Sequence, residues 1–325
     1  MNKNVFVFST DDNYTVPTYV AIHSLMKHSN RDEEYYVYIL VSKDLSSDCK
    51  NLIDSVSREF QNLSLSFINM GNSFSDTKLV IKHTTLPSMY RLLLPELLPD
   101  SDYCVYIDGD IIVTGDMSSV FDIDISDYYF GAVRDIEAMP YISKFDYSCD
   151  RPDPAGYVNS GMLYMNLKRM RQDDLVSKFL ELSKERLFFG DQDILNIVCK
   201  DNIKFLELKY NVLVKYRFVN HKQDHYSDFV SQYFQTSEIH EAIDTPVMIH
   251  YAQPTKPWQC RYVYKGDIWY GYIRKNIDKD IYSKYILPYI NSHKAESKVA
   301  GKLFIHRVLY KAGILKPLLN LQHKL

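Results

Sequence analysis

The chain has 325 residues, of which 46% are hydrophobic and 24% are charged, and its formal net charge is −3. This composition is typical of a globular protein and argues against a disordered chain or a polytopic membrane protein. No apolar run approaches the roughly 20 residues of a membrane-spanning helix, and no signal peptide is recognisable at the N-terminus. With five cysteines and no CxxC pair, these features predict a cytoplasmic protein with free thiols.

Short β-branched and aromatic runs alternate with longer amphipathic stretches in the first third of the chain, which predicts βαβ units and a mainly parallel sheet. The predicted strands are 5–8, 35–41 and 63–69, and the predicted helices are 15–28, 47–60 and 89–97. Residues 72–86 are mixed and polar and are expected to form a loop. An α/β fold is therefore expected.

The second part of the chain continues this pattern with longer connections. Predicted strands are 103–107, 130–133 and 160–165, and predicted helices are 174–186 and 191–200. The segment 137–157 is rich in Tyr, Asp and Pro, and connections of this length in compact domains are usually functional or mobile. A functional or mobile segment is therefore expected here.

Two carboxylates separated by one glycine, Asp108-Gly109-Asp110, follow the predicted strand 103–107. Acids at the carboxyl end of a strand lie where open α/β sheets place their ligands. Hard divalent cations prefer oxygen ligands, and the glycine permits a close backbone approach, so both side chains can turn toward one Mn²⁺ or Mg²⁺ ion. The alternative is a polar turn whose acids cap the next element.

A further candidate, His250, lies in the short apolar run 247–251 and precedes a polar turn that contains Lys256. An imidazole beside two carboxylates would complete a Mn²⁺ site, and the lysine could meet a phosphate. The alternatives are a structural histidine at a strand end and a solvated surface lysine.

Six separated motifs occur in an order that is far more specific than any of them alone. They are Ser9-Thr10-Asp11-Asp12-Asn13-Tyr14, Tyr90-Arg91, Tyr106-Ile107-Asp108-Gly109-Asp110, Asn159-Ser160-Gly161 with Asn166-Leu167-Lys168, Gly190-Asp191-Gln192-Asp193-Ile194-Leu195-Asn196, and His250-Tyr251 through Lys256-Pro257-Trp258. On these motifs, residues 5 to 260 resemble glycosyltransferase family 8, in particular its bacterial branch of galactosyl- and glucosyltransferases.

The resemblance implies a single Rossmann-like nucleotide-sugar-binding domain of the GT-A type, with a mainly parallel mixed sheet and a small helical C-terminal region. The expected boundaries are 1–265 for the catalytic domain and 266–325 for the helical region. The implied activity is transfer of a hexose from a UDP-sugar to a cell-surface glycan acceptor with retention of configuration. Galactose is the expected hexose, glucose is the alternative, and a self-glycosylating or sugar-nucleotide-binding protein is a further one.

The resemblance also implies roles for individual residues. Asp108, Asp110 and His250 would hold Mn²⁺, with Mg²⁺ as the alternative, and Asp191 and Gln192 would be catalytic. The implied donor contacts are Ser9, Thr10, Asp11, Asn13 and Tyr14 at the nucleoside, Arg91, Gly109, Gln253 and Lys256 near the phosphates or sugar, and Asn159, Ser160, Asp191 and Gln192 around the hexose. The alternatives are an N-cap pair for Asp11 and Asn13 and an exposed helix arginine for Arg91.

Two features bear on mechanism and on the limits of the resemblance. A neutral amide such as that of Gln192 is a poor nucleophile, which favours attack of the acceptor on the face that UDP leaves, with Gln192 as electrostatic and positional support. Gln253 stands where the branch's galactosyltransferase has a glycine against the phosphates. A phosphatase or nuclease using Asp108 and Asp110 would leave most of the six motifs without roles.

Charge is segregated along the chain. Residues 294–325 carry seven Lys or Arg and one acid, which leaves 31 basic and 40 acidic residues, a net charge of −9, for the rest. An acidic body argues against nucleic-acid binding. A basic amphipathic tail predicts peripheral contact with an anionic membrane or a partner glycosyltransferase, and the alternative is a helix packed on the protein's own body or on a partner subunit.

Overall fold

The computed structural model describes residues 4–42, 45–74, 86–135, 137–213 and 232–311. Contacts divide the chain into two compact units. The first unit comprises 1–212 and 241–249, and the second comprises 213–240 and 250–325. The expected domain boundary at residue 265 falls inside the second unit and stays a prediction.

A seven-stranded mixed sheet forms the centre of the first unit, in the order β3-β2-β1-β4-β7-β6-β8. Its strands are β1 (Asn4–Thr10), β2 (Tyr35–Val41), β3 (Leu63–Asn69), β4 (Tyr103–Ile107), β6 (Phe130–Ala132), β7 (Met162–Asn166) and β8 (Ile203–Phe205). The strands β3, β2, β1 and β4 are parallel, β7 runs antiparallel to both β4 and β6, and β8 is parallel to β6. The predicted mainly parallel mixed sheet is confirmed.

The burial of each strand explains its sequence pattern. All seven residues of β1 are buried, because a central parallel strand is covered on both faces and therefore reads as a continuous hydrophobic run. In β3, at the end of the sheet, only Leu63 is buried. Strand pairing runs in register from Asn4 opposite Tyr35 to Thr10 opposite Val41, so the carboxyl ends of the parallel strands meet at one edge.

A second, three-stranded sheet has the order β5-β10-β9. Its strands are β5 (Ile111–Val113), β9 (Val212–Leu213) and β10 (Met248–His250). Immediately before β10, the carbonyl of Val247 accepts the N–H groups of Thr114 at 2.8 Å and Gly115 at 3.1 Å. This pairing joins segments more than 130 residues apart and follows directly on the Asp108 to Asp110 turn.

Helices cover the large sheet of the first unit. They are α1 (Thr15–Lys27), α2 (Ser47–Glu59), α3 (Leu86–Met89), α4 (Leu94–Leu97), α5 (Met139–Ile142), α6 (Leu167–Gln172), α7 (Leu175–Leu182) and α8 (Asp191–Cys199), with 3-10 turns at Tyr90–Leu93, Ser118–Asp122, Lys200–Asn202 and Leu208–Tyr210. The predicted helix 89–97 is divided by a 3-10 turn, because Pro95 lacks an N–H and suits the first turn of a new helix. Of the predicted loop 72–86, residues 75–85 lie outside the described part of the chain.

The helix α9 (Thr236–Asp244) spans the sequence boundary between the units, and the later helices belong to the second unit. These are α10 (Gly266–Asn276), α11 (Lys279–Ile281), a π-helical turn (Tyr282–Ile286), α12 (Leu287–Ser292) and α13 (Ser297–Lys311). Trp269 is fully buried there, 6.0 Å from the ring of Trp258. Within the described residues, no helix has the length and apolar character needed to cross a membrane.

The helix α13 packs on its own unit through Arg307 and Phe304. Arg307 forms an ion pair with Asp267 at 2.9 Å and donates to the carbonyl of Arg261, and the ring of Phe304 meets Tyr262 edge-on at 5.0 Å. The packed-helix alternative for the tail therefore applies to this stretch. Apolar side chains nevertheless remain exposed along it, namely Val299, Phe304, Ile305 and Val308. Residues 312–325 of the predicted tail lie outside the described residues.

Candidate active site

The three predicted metal ligands come together in the structure. One ligand atom each of Asp108, Asp110 and His250 lies within 4.8 Å of the others. His250 reaches this place as the last residue of β10, whose preceding residues Met248 and Ile249 belong to the first unit. Asp110 and His250 are buried, while the Asp108 side chain is 25% exposed. Two carboxylates and one imidazole fit Mn²⁺ or Mg²⁺ with room for further oxygen ligands.

Gly109 lets the turn between the two acids press against helix α1. A Cβ atom built at Gly109 would lie 2.4 Å from Oγ1 of Thr18, closer than real Cβ contacts occur. The Thr18 hydroxyl is wholly buried and is held by the carbonyl of Tyr14 at 2.8 Å and by Thr10 Oγ1 at 3.1 Å. Glycine is therefore required here by close packing.

Arg91 is buried at the centre of the site, so the exposed-helix alternative for this residue is wrong. Its guanidinium donates to Asp108 Oδ1 at 2.8 Å, forms an ion pair with Asp191 at 3.2 Å, and also donates to the carbonyls of Ser88 and Ser160. Burial alone would lower the pKa of Arg91, but the two carboxylates raise it above its usual value. The cation therefore fixes Asp108 and Asp191 relative to each other.

Gln192 lies at the start of α8 with its amide oxygen fully engaged. Oε1 accepts from the backbone N–H of Ser160 at 2.9 Å, from Asn159 Nδ2 at 3.2 Å and from Ser160 Oγ at 3.3 Å. Its Nε2 donates to Asp135 Oδ2 at 3.2 Å, and the same carboxylate oxygen accepts from Asn159 at 3.0 Å. Because the single hydroxyl proton of Ser160 is closer to Asp191, the two amide N–H donors hold the position of this oxygen and reduce its availability as a nucleophile.

Asp191, the neighbour of Gln192, is also enclosed. Its Oδ2 accepts from Ser160 Oγ at 3.1 Å and faces Arg91. Burial raises the pKa of the Asp191 carboxyl, while Arg91 acts in the opposite direction. Asn159, Ser160, Asp191 and Gln192, which the resemblance assigned to one pocket, are thus joined by direct hydrogen bonds.

The loop between β1 and α1 carries the predicted nucleoside contacts. Asp11 Oδ1 accepts the N–H of Tyr14 at 3.0 Å, but Tyr14 itself is the N-cap residue of α1 and makes no side-chain cap, so Asp11 and Asn13 do not form the N-cap pair of the alternative. Asn13 is exposed and Tyr14 is half-buried. Ser9 Oγ is buried and has no hydrogen-bond partner within the described residues.

Two predicted phosphate contacts follow His250 in the second unit. Lys256 is half-buried and its Nζ donates to the carbonyl of Tyr251 at 2.8 Å, which does not fit a freely solvated lysine. Nε2 of Gln253 is buried and, among the described residues, has no hydrogen-bond acceptor. An unpaired buried donor is costly and is found where a ligand or water supplies the missing partner.

Three further residues shape the site and were not assigned roles from sequence. Asp135 holds Gln192 and Asn159, Asn196 pairs with both backbone groups of Val158, and Asp193 accepts four hydrogen bonds. Asp135 follows β6 at the same sheet edge as Asp108, so the strand-end rule that selected Asp108 applies to it equally. Asn196 lies four residues after Gln192, on the same helix face.

Comparisons with known proteins agree with this geometry. The sequence profile described as "Glycosyl transferase family 8" matches residues 5–261. The chain is 28% identical over 277 residues to glycosyltransferase GlyF of Streptococcus pneumoniae, covering 84% of this chain and 61% of GlyF. It is 25% identical over 312 residues to a lipopolysaccharide 1,2-glucosyltransferase of Escherichia coli, covering 93% of this chain and 83% of that protein. The chain thus spans about three fifths of GlyF.

Solved structures show the same fold. The bifunctional glycosyltransferase WbbM in its apo form superposes with a TM-score of 0.71 at 25% identity, covering 87% of this chain and 52% of WbbM. The galactosyltransferase LgtC, in complex with donor and acceptor sugar analogs, gives a TM-score of 0.58 at 23% identity, covering 92% of this chain and 99% of LgtC. The expected GT-A type of Rossmann-like fold is confirmed.

Proposed function

This chain belongs to glycosyl transferase family 8, and on that premise we propose that it is a metal-dependent enzyme that transfers a hexose from a UDP-sugar to a glycan acceptor with retention of anomeric configuration. The observation that carries the proposal is the convergence of Asp108, Asp110 and His250 from distant parts of the sequence. If His250 were only a structural residue, or the two acids only a capping turn, these three side chains would not need to lie close together.

The metal, when bound, supplies positive charge to the diphosphate of the donor, where negative charge grows as UDP leaves. Two contacts support this role, because Arg91 holds the Asp108 carboxylate and the packing of Gly109 on Thr18 fixes the turn between Asp108 and Asp110. Lys256 and Gln253 are proposed to donate hydrogen bonds to the same phosphates. The buried Nε2 of Gln253, which has no acceptor among the described residues, supports this role.

The donor hexose is proposed to lie against Asn159, Ser160, Asp191 and Gln192. Because two N–H donors already hold the amide oxygen of Gln192, we assign this residue to electrostatic and positional support. Asp191 would hold sugar hydroxyls, since its carboxylate is fixed by Arg91 and Ser160. This arrangement favours attack from the face that UDP leaves, with a phosphate oxygen taking the proton of the acceptor hydroxyl.

Galactose remains the proposed hexose and glucose the alternative, because relatives of both kinds resemble the chain. The two sugars differ in one hydroxyl configuration, which a single pocket residue can distinguish. A cell-surface glycan in assembly is the proposed acceptor, at the inner face of the membrane. The exposed apolar side chains of α13, including Phe304 and Ile305, and its lysines support contact with an anionic membrane or a partner enzyme.

Release of UDP is the experiment that tests the proposal. UDP-galactose and UDP-glucose are each incubated with the protein and Mn²⁺, with and without a chelator, and the assay is repeated with Asp110→Asn. Metal-dependent UDP release that the substitution abolishes supports the assignment, and activity that survives chelator or Asp110→Asn contradicts it. Intact mass of the protein after incubation separates transfer to an external acceptor from self-glycosylation.

A further inference from the structure

Four aromatic side chains form a shelf beside the turn that precedes α8, namely Tyr141, Phe145, Phe188 and Phe189. The ring of Tyr141 stacks on Phe188 with centroids 6.0 Å apart and an interplanar angle of 13°. Phe145 and Phe189 pack on Phe188 at 5.1 Å and 4.6 Å. Tyr141 is 56% exposed, while the other three rings are half-buried. The shelf therefore presents flat aromatic surface to solvent.

The shelf is held by an ordered backbone. Ile142, the neighbour of Tyr141 in α5, is fully buried in a small cluster with Ala138 and Tyr157, so the short helix keeps one side inward and Tyr141 on the surface. Arg151 donates to the carbonyls of Ser143 and Phe145 and thereby fixes the chain after α5.

Asp193 holds two rings of the shelf on the turn that leads into α8. Its buried carboxylate accepts the N–H groups of Phe188 at 2.7 Å and Phe189 at 2.8 Å, and the hydroxyl of Tyr157 at 2.6 Å. The N–H of Gln192 in turn donates to the carbonyl of Phe189 at 3.3 Å. Phe188 and Phe189 of the shelf thus lie on the same hydrogen-bonded turn as Asp191 and Gln192, which are proposed to contact the donor hexose.

We propose that the shelf is an acceptor subsite, on which one pyranose ring of the glycan acceptor stacks through its C–H face, with Tyr141 as the contact that determines affinity. The proposal rests on the function proposed above. The C–H groups of one pyranose face are apolar and slightly positive, and they match the negative face of an aromatic ring. The hydroxyl groups at the edge of the sugar stay in water or meet the exposed side chains of Lys144 and Asp146.

Size and position favour a sugar over a protein partner. The faces of three or four partly buried rings offer a few hundred Å² at most, well below the roughly 1,000 Å² of a stable protein interface. An acceptor must bring its hydroxyl to the anomeric carbon held beside Gln192, and two rings of the shelf, Phe188 and Phe189, lie on the turn that leads into that residue. A surface elsewhere on the unit would have no such connection.

Saturation-transfer NMR tests the proposal with three defined probes, the methyl β-glycosides of galactose, glucose and N-acetylglucosamine, in the presence of UDP and Mn²⁺. For at least one probe, we expect saturation concentrated on the protons of one pyranose face. Tyr141→Ala should weaken binding about fivefold, as loss of one aromatic contact predicts, while Tyr141→Phe, which keeps the ring, should bind like the parent protein. Leu180→Ala, which truncates another exposed apolar side chain of the same unit, is the matched control.

The outcomes separate the subsite from the proposed function. Absence of saturation for all three probes, or equal saturation in Tyr141→Ala and the parent, overturns the subsite. Metal-dependent release of UDP from the UDP-sugar without acceptor should be unchanged in Tyr141→Ala. If the parent protein itself shows no such release, the proposed function has failed independently of the shelf.

Discussion

Replacement of Gly109 by alanine is expected to disturb the metal site through a single atomic contact. The new Cβ would lie 2.4 Å from Oγ1 of Thr18, whereas the next atom, Cβ of Thr18, is at an ordinary 3.5 Å. Relief of this clash requires a shift of roughly 1 Å, and overpacking of this kind costs about 1–3 kcal/mol. Because Asp108 and Asp110 flank the glycine, the shift moves both carboxylates.

Thr18→Ala supplies the matching perturbation, because it removes only the clashing hydroxyl and the γ-methyl group. Alone, it should cost about 1 kcal/mol through the lost hydrogen bond to the Tyr14 carbonyl. In the double variant the closest contact is ordinary, so stability and metal-dependent UDP release should recover toward the level of Thr18→Ala. The parent, the two single variants and the double variant form a double-mutant cycle, which is measured by unfolding in urea and by UDP release.

The cycle also defines what would refute the reasoning. Additive effects of the two substitutions would show that the Thr18 hydroxyl is not the obstacle. A Gly109→Ala variant with unchanged stability and unchanged UDP release would show that the turn does not depend on close packing.

Three other predictions follow from contacts elsewhere in the chain. Burial lowers the pKa of His23 despite its contact with Glu59, so the folded state binds fewer protons than the unfolded chain and stability falls as the pH drops below 6.5. In urea unfolding between about pH 8 and about pH 5, His23→Gln should therefore lose less stability than the parent protein. An equal loss of stability in the two proteins would contradict the assignment. Asp135→Ala removes the carboxylate oxygen that accepts from both Gln192 Nε2 and Asn159 Nδ2, so UDP release should fall at least about tenfold with a stability loss of about 1–3 kcal/mol. A variant as active as the parent would remove Asp135 from the site. Ile305→Glu on α13 should reduce sedimentation with anionic liposomes while UDP release survives, and unchanged sedimentation would exclude the exposed face of α13 from membrane contact.

Local sequence signals predicted the first half of the fold well, and the reason is physical. Strands β2 and β3 have their predicted bounds, because β-branched and aromatic runs bounded by polar turns specify a strand without reference to the rest of the chain. Helix α2 begins one residue after Ser46, whose hydroxyl accepts the N–H of Cys49 as an N-cap. Such information lies within a few residues of the element it determines.

Strand pairing between distant segments and the burial of individual side chains could not be predicted from local sequence patterns. The pairing of β5 with β10, which carries His250 to the two acids, joins segments too distant for any periodicity to report. The burial of Arg91 between Asp108 and Asp191 depends on tertiary packing, which the sequence around an arginine in a helical stretch does not reveal. The roles of Asp11 and Gln253 depend on a bound donor and remain predictions.

The metal cluster is tested most directly by measuring the binding of Mn²⁺ in the presence of UDP, with the free ion detected by electron paramagnetic resonance. The parent protein should bind one Mn²⁺, and both Asp110→Asn and His250→Ala should weaken binding at least about tenfold. Asp127→Asn, which alters an exposed acid of the same unit, should leave binding unchanged. Equal Mn²⁺ affinity in the parent, Asp110→Asn and His250→Ala would contradict the assignment of these side chains to one metal site.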